Sequence, residues 1–191
     1  MKISNTSQVP FLGDVKGVYV WQMPTYTDLR GRLFKAYTAE DSKSLPIPFN
    51  TYEHFFTESK KNVFRGMHFQ GNPHAVSKII SIVQGKAIDF LFDMRENSET
   101  FCSLQIVELD ESRASSIFIP RGVAHGYLAL AEKTIISYRM DGQFCANCDS
   151  GFNGELIADH LPISLSEAIK SARDYELIPF KDYYYNSQCV T

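Results

Sequence analysis

Apolar and β-branched residues fall in short runs through the middle of the chain, at 77–83, 87–93, 101–108, 116–119 and 134–140. Each run has the length of a strand, and turn formers separate them: Gln84-Gly85-Lys86, Arg95-Glu96-Asn97-Ser98, Asp110-Glu111-Ser112 and Pro120-Arg121-Gly122. Short strands spaced by about ten residues predict an antiparallel sandwich or barrel. Nearer the N-terminus the pattern adds a strand at 15–23, a turn at Asp28-Leu29-Arg30-Gly31 and a strand at 32–37. Helical signal is confined to the end. Residues 164–172 predict a helix, because Ser164 offers an N-cap and Glu167 completes the spacing of a capping box. Residues 38–44 and 181–191 read as surface segments. Without a repeat or a linker, the chain reads as one β-rich domain over 1–191, with 182–191 a surface tail.

Composition narrows the function classes. With 44% hydrophobic and 21% charged residues the chain suits a soluble globular protein. Nineteen Lys and Arg against 22 Asp and Glu give a net charge of −3, so no cationic field exists to hold nucleic acid. A phosphate-bearing small ligand needs only a few local cations. The longest apolar runs, such as 127–131, fall far short of the roughly 18–20 residues that cross a bilayer. The polar N-terminal stretch has no signal-peptide core, and the expected location is the cytoplasm. Fourteen Phe and 10 Tyr suit pleated surfaces and the walls of a ligand cleft.

Cysteines stand at 102, 145, 148 and 189. Cys145 and Cys148 form a lone CxxC, a spacing shared by zinc sites and redox motifs. A structural zinc needs about two further ligands, and no second CxxC or close Cys/His pair supplies them. The expectation is free thiols and no bound metal.

Chemistry concentrates in two places. In Arg65-Gly66-Met67-His68-Phe69-Gln70, strand alternation puts His68 and Gln70 on one face and Arg65 on the other, with Lys78 ten residues after His68. A sheet interior carrying His, Gln and Lys makes a ligand site, since such groups are costly to bury without partners; a partly exposed His beside a surface Lys is the plain alternative. In Pro120-Arg121-Gly122-Val123-Ala124-His125-Gly126-Tyr127, His125 sits between small residues that let a ligand approach, or that simply suit a bulge. Tyr138 is an inward polar residue if Ile136 shares its face. Its phenol serves either as a proton donor or as a core hydrogen-bonding group.

Taken together these motifs, with Val83-Gln84-Gly85-Lys86-Ala87 and Asp93-Met94-Arg95 followed by Ser98 and Thr100-Phe101, resemble the dTDP-4-dehydrorhamnose 3,5-epimerases. The resemblance runs from about Val15 to Phe180 and is strongest between Val63 and Tyr138. It implies an all-β, cupin-type double-stranded β-helix (jelly roll) with short C-terminal helical elements, working as a homodimer without metal or organic cofactor. The implied substrate is a nucleotide-diphosphate 4-keto-6-deoxy sugar, whose ketone acidifies the protons on C3 and C5. On this resemblance His68 is the general base, oriented by Asp174 of Ser171-Ala172-Arg173-Asp174. Lys78 stabilises the enolate, and Tyr138 donates a proton on the face opposite the histidine, which favours inversion at both carbons. Arg30, Arg65, Gln70, His125, Asp149 and Arg173 are the implied substrate-binding residues, Asp149 and Arg173 standing where the family has Glu and Lys.

The chain departs from that pattern at Lys35, which reverses an acidic charge, and at residues 49–56 and 153–159. These segments shape the pocket, and they leave two other readings to weigh. One is a metal-dependent cupin oxygenase or isomerase, although His68-Phe69-Gln70 puts an amide where metal cupins carry a second histidine. The other is a sugar-nucleotide-binding protein without turnover.

Overall fold

Each strand predicted in the central segment forms, with small shifts at its ends. The structure is a computed structural model and describes residues 11–12, 14–38, 40, 43–45 and 47–188. Its strands are β1 (Phe11–Leu12), β2 (Tyr19–Gln22), β3 (Thr25–Asp28), β4 (Gly31–Phe34), β5 (Glu53–Ser59), β6 (Phe64–Gln70), β7 (Lys78–Gln84), β8 (Lys86–Asp93), β9 (Leu104–Asp110), β10 (Ser115–Ile119), β11 (Val123–Ala129), β12 (Thr134–Met140) and β13 (Asp149–Gly151). A 3-10 helix, Gly154–His160, and two short α-helices, α1 (Ala172–Glu176) and α2 (Phe180–Gln188), follow. The N-terminal strand is shorter than predicted: residues 15–18 close a turn through Val18 N–H to the Val15 carbonyl at 3.0 Å, and both valines drop into the core.

A six-stranded sheet, β1-β2-β10-β7-β12-β5, faces a five-stranded sheet, β13-β6-β11-β8-β9, and β3-β4 forms a separate hairpin. Antiparallel pairing throughout both sheets and the crossing between them make this the expected jelly roll. Between the sheets lie Val15, Val18, Ile80, Ile82, Leu91, Ile117, Val123 and Ile136, all buried. Burying each such aliphatic side chain is worth about 1.5–3 kcal/mol. A second apolar layer covers the outer face of the five-stranded sheet, where Phe64, Met67, Phe90, Phe92 and Phe152 meet Phe180 and Tyr183 of α2. A third, with Trp21, Leu45, Phe49, Ile79 and Phe118, backs the other sheet. Covered on both faces, β10 and β11 are buried at every position. Their sequences therefore read as continuous runs instead of alternating ones.

The C-terminal region departs from expectation. Half of the predicted capping box forms, with the Ser164 N–H donating to Glu167 Oε2 at 2.9 Å, but the Glu167 N–H goes to the Ser164 carbonyl at 3.0 Å and only one turn follows. Ile169 instead bridges Val63 in parallel, its N–H reaching the Asn62 carbonyl at 2.8 Å, and sheet pairing overrides helix propensity. The α-helix starts later, capped by Ser171, whose Oγ accepts the Asp174 N–H at 3.1 Å. The expected tail is likewise structured: α2 packs Tyr183 edge-on to Phe69 at 5.9 Å and Tyr184 against Phe101 at 5.9 Å. Residues 189–191, with Cys189, lie outside the described residues.

The Asp93-Met94-Arg95 motif closes the loop between β8 and β9. The buried Asp93 carboxylate accepts from Arg95 Nε at 2.7 Å, Ser98 Oγ at 2.6 Å and Thr100 Oγ1 at 2.7 Å. Burial works to raise its pKa, and these donors outweigh burial and hold it at about 2. Its contribution to stability is therefore full above the ordinary carboxylate pKa and fades as pH falls toward 2. Asp93→Ala strands Arg95 and is expected to cost about 3 kcal/mol, a fall in Tm of roughly 6–12 °C in a circular-dichroism melt. An unchanged melt would remove this network from the account of stability.

Candidate active site

The cavity between the two sheets depends on one irregularity in β6. His68 pairs with His125, yet Arg65 pairs with Tyr127, so three steps on β6 match two on β11. The extra residue is a β-bulge, and it falls at Gly66, where φ is +132° and a Cβ would lie 2.5 Å from the Gly126 Cα. Only glycine allows that approach. The bulge breaks the period-two alternation, and Arg65, expected on the far face, joins His68 in one cavity of about 300 Å³.

Both sheets and α1 line the cavity. The five-stranded sheet supplies Arg65, His68, His125, Tyr127 and Asp149. From the six-stranded sheet opposite come Phe55, Thr57, Lys78 and Tyr138, while α1 and its cap add Ser171, Arg173 and Asp174. His68 Nε2 lies 2.6 Å from Asp174 Oδ1, with the carboxylate 3% exposed and the imidazole 25% exposed toward the cavity. Burial works to raise the Asp174 pKa, but hydrogen bonds from His68 and Ser171 and the Arg173 charge bring it below the ordinary value. The ionised carboxylate accepts from Nε2–H, leaving the Nδ1 lone pair of His68 as the basic site.

On the facing wall Tyr138 is buried, its ring stacked on Phe55 at 5.1 Å and 3°. Burial first, then the neighbouring Tyr127 and Asp89, raise its pKa well above that of a free phenol, so it remains a protonated acid. Lys78 retains some exposure, but its ammonium is enclosed by the cavity. Burial lowers its pKa to about 8, with Asp149 and Asp89 pulling upward and Arg173 adding to the fall. Arg65 leans on Ser59 Oγ at 3.0 Å, and Ser59 Oγ and Thr57 Oγ1 each lie 2.9 Å from the Tyr127 hydroxyl. Arg173 pairs with Asp149 at 2.9 Å.

Two expected binding residues are elsewhere. Gln70, at the end of β6, commits its whole amide to backbone: Nε2 donates to the His74 and Gln143 carbonyls, and Oε1 accepts the Cys145 N–H at 2.9 Å. It joins two loops and offers nothing to a ligand in the cavity. Arg30 sits at the tip of the β3–β4 hairpin, 91% exposed and paired with Asp28 at 2.6 Å, because a two-residue turn carries it away from both sheets.

Asp89 is a cavity-side acid that none of the sequence motifs contains. Its Oδ1 is 2.6 Å from His125 Nε2, both groups buried, and burial raises its pKa against the pull of His125 and Lys78. The signal was present as a lone acid inside the apolar run Ile88-Asp89-Phe90-Leu91-Phe92. Phe55 falls in the 49–56 segment expected to shape the pocket, although no motif marks it individually, and Thr57 lies just beyond that segment.

A cupin-type jelly roll with a histidine–carboxylate pair on one wall and a protonated phenol and a lysine on the other is built for proton transfer at carbon. The family model for dTDP-4-dehydrorhamnose 3,5-epimerase matches residues 13–182. The chain belongs to that family and is a sugar-nucleotide epimerase. The Escherichia coli (strain K12) dTDP-4-dehydrorhamnose 3,5-epimerase is 29% identical over 169 residues, covering 86% of this chain and 90% of the relative. Among solved structures, the epimerase of Bacillus anthracis with TDP and PPi bound superposes with a TM-score of 0.81 at 26% identity, covering 94% of this chain and 99% of that one. The enzyme from Sulfolobus tokodaii gives 0.80 at 28% identity, covering 87% and 92%.

Neither cavity histidine belongs to the group of potential metal ligands found among the described residues, and each instead faces its own aspartate. The chain has no helix among those residues long and apolar enough to cross a membrane.

Proposed function

We propose that the protein inverts both C3 and C5 of a dTDP-linked 4-keto-6-deoxy sugar. The observation that carries this reading is the placement of base and acid on opposite sheets, His68 on β6 and Tyr138 on β12. His68 Nδ1 takes the proton α to the ketone, the C–H electron pair moves into an enolate, and its oxygen is stabilised by the Lys78 ammonium. Tyr138 then gives its hydroxyl proton to the carbon from the other side, which inverts the centre. Arg65 and Arg173 supply guanidinium groups for the diphosphate. His125, oriented by Asp89, binds the sugar.

Incubation with dTDP-4-keto-6-deoxyglucose in heavy water tests the reading. Deuterium is expected at C3 and C5 in an inverted product, and its absence from either carbon would overturn it. Tyr138→Phe is expected to retain uptake at C3 while lowering formation of the doubly inverted product by about 10²-fold, as read by proton NMR. Equal loss of exchange at both carbons would assign Tyr138 a different role.

The working form proposed is a homodimer. The β3–β4 hairpin, with Leu29 and Leu33 fully or largely exposed beside Arg30, supports assembly through this element.

A further inference from the structure

The CxxC motif has no part in proton transfer, and folding gives it a third partner. His74, in the loop between β6 and β7, lies beside Cys145 and Cys148 in the loop between β12 and β13, and the three ligand atoms all fall within 4.8 Å of one another. The thiol sulfurs are 2.8 Å apart. We propose that His74, Cys145 and Cys148 form a three-ligand zinc site, open at its fourth position, that clamps these two loops together beside the catalytic cavity.

Backbone hydrogen bonds hold the two loops that carry these side chains. The Gly71 N–H donates to the Cys148 carbonyl at 2.8 Å. The Cys148 and Asp149 N–H groups both reach the Cys145 carbonyl, at 3.0 and 2.9 Å, and close the tight turn that turns both sulfurs the same way. Gln70 holds the backbones of His74 and Cys145 from one side chain. Such outer contacts orient metal ligands and tune them.

Two thiolates and an imidazole select a borderline-soft ion over magnesium or calcium, and their double negative charge neutralises Zn²⁺. With Zn–S of about 2.3 Å and Zn–N of about 2.0–2.1 Å, a tetrahedral ion sets the two sulfurs roughly 3.8 Å apart and each sulfur roughly 3.5 Å from the imidazole nitrogen. The two sulfurs, 2.8 Å apart without the ion, part by about 1 Å to admit it, and the exposed His74 side chain swings in as third ligand. The fourth position falls to water. Phe144 and Asp149, which line the cavity, flank the two cysteines directly, so the ion would set the position of that wall.

The test uses the full-length protein, reconstituted with Zn²⁺ under a non-chelating reductant and desalted. About one zinc per chain is expected, and Co²⁺ in its place is expected to give the intense visible bands of a tetrahedral ion with a near-ultraviolet thiolate charge-transfer band. Cys145→Ser and Cys148→Ser should each weaken Zn²⁺ binding by at least about 100-fold, His74→Ala by about 10-fold or more, and Cys102→Ser not at all. Zinc well below one per chain, a cobalt spectrum without the thiolate band, or variants that bind as well as the parent would each overturn the proposal. The first two readouts need no variant and stand even if a substituted loop misfolds.

Discussion

His68→Ala is expected to lower kcat by about 10³-fold while the Kd for the nucleotide sugar changes little. Nδ1 of His68 belongs to a ring that is 25% exposed and whose other nitrogen is held by the buried carboxylate of Asp174 at 2.6 Å, whereas the His125 ring, held by Asp89, is itself buried. Removing the ring removes the acceptor for the C–H proton, yet Arg65, Arg173 and His125 remain to hold the ligand. Deuterium uptake at C3 should collapse with turnover, since both need the same first proton transfer. Asp174→Asn should produce a smaller loss, because the amide still contacts the ring without stabilising the imidazolium. The comparison is made by steady-state kinetics beside titration calorimetry. Exchange persisting at the parent rate in His68→Ala would move the base to another residue.

The second large effect is expected from Lys78→Met, which should reduce kcat/KM by about 10²–10³-fold by removing the charge that stabilises the enolate. The loss should appear chiefly in kcat, since the oxygen carries full negative charge only after proton abstraction. The pH profile gives a separate signature. Burial lowers the Lys78 pKa to about 8, so the parent enzyme should lose kcat/KM as pH rises through about 8, when the neutral amine can no longer balance the oxyanion. Lys78→Met should flatten that alkaline limb. Its Tm should not fall, because the buried ammonium is a desolvation cost that the isosteric thioether does not carry. A variant with parent-like kinetics and an intact alkaline limb would exclude Lys78 from the chemistry.

The strand content was legible because period-two patterning and turn residues act over a few neighbours, and 77–83, 87–93 and 134–140 all pair as expected. The helix expected at 164–172 failed for the opposite reason. A local capping box could not foresee that Ile169 would find Val63 more than a hundred residues away. The site shows the same division. His68, Lys78, His125 and Tyr138 stand in recognisable motifs, and the structure does bring them to one cavity. Arg65 reaches that cavity only through the bulge at Gly66, and Gln70, two residues after His68, is consumed by loop carbonyls that no strand pattern announces. The expectation of unaccompanied thiols at Cys145 and Cys148 rested on the absence of a nearby ligand along the chain; His74 is near only in space.

The sequence by itself determined which groups are available and where strands begin and turn, since side-chain chemistry, alternation and backbone preference are local properties. Only the tertiary structure decided which distant groups meet. The pairing of His68 with Asp174 across 106 positions, of His125 with Asp89, and of His74 with the cysteines depends on sheet register and on how loops close over the barrel. Those are set by the packing of whole sheets, where a single extra residue in one strand redirects the side chains on either side of it.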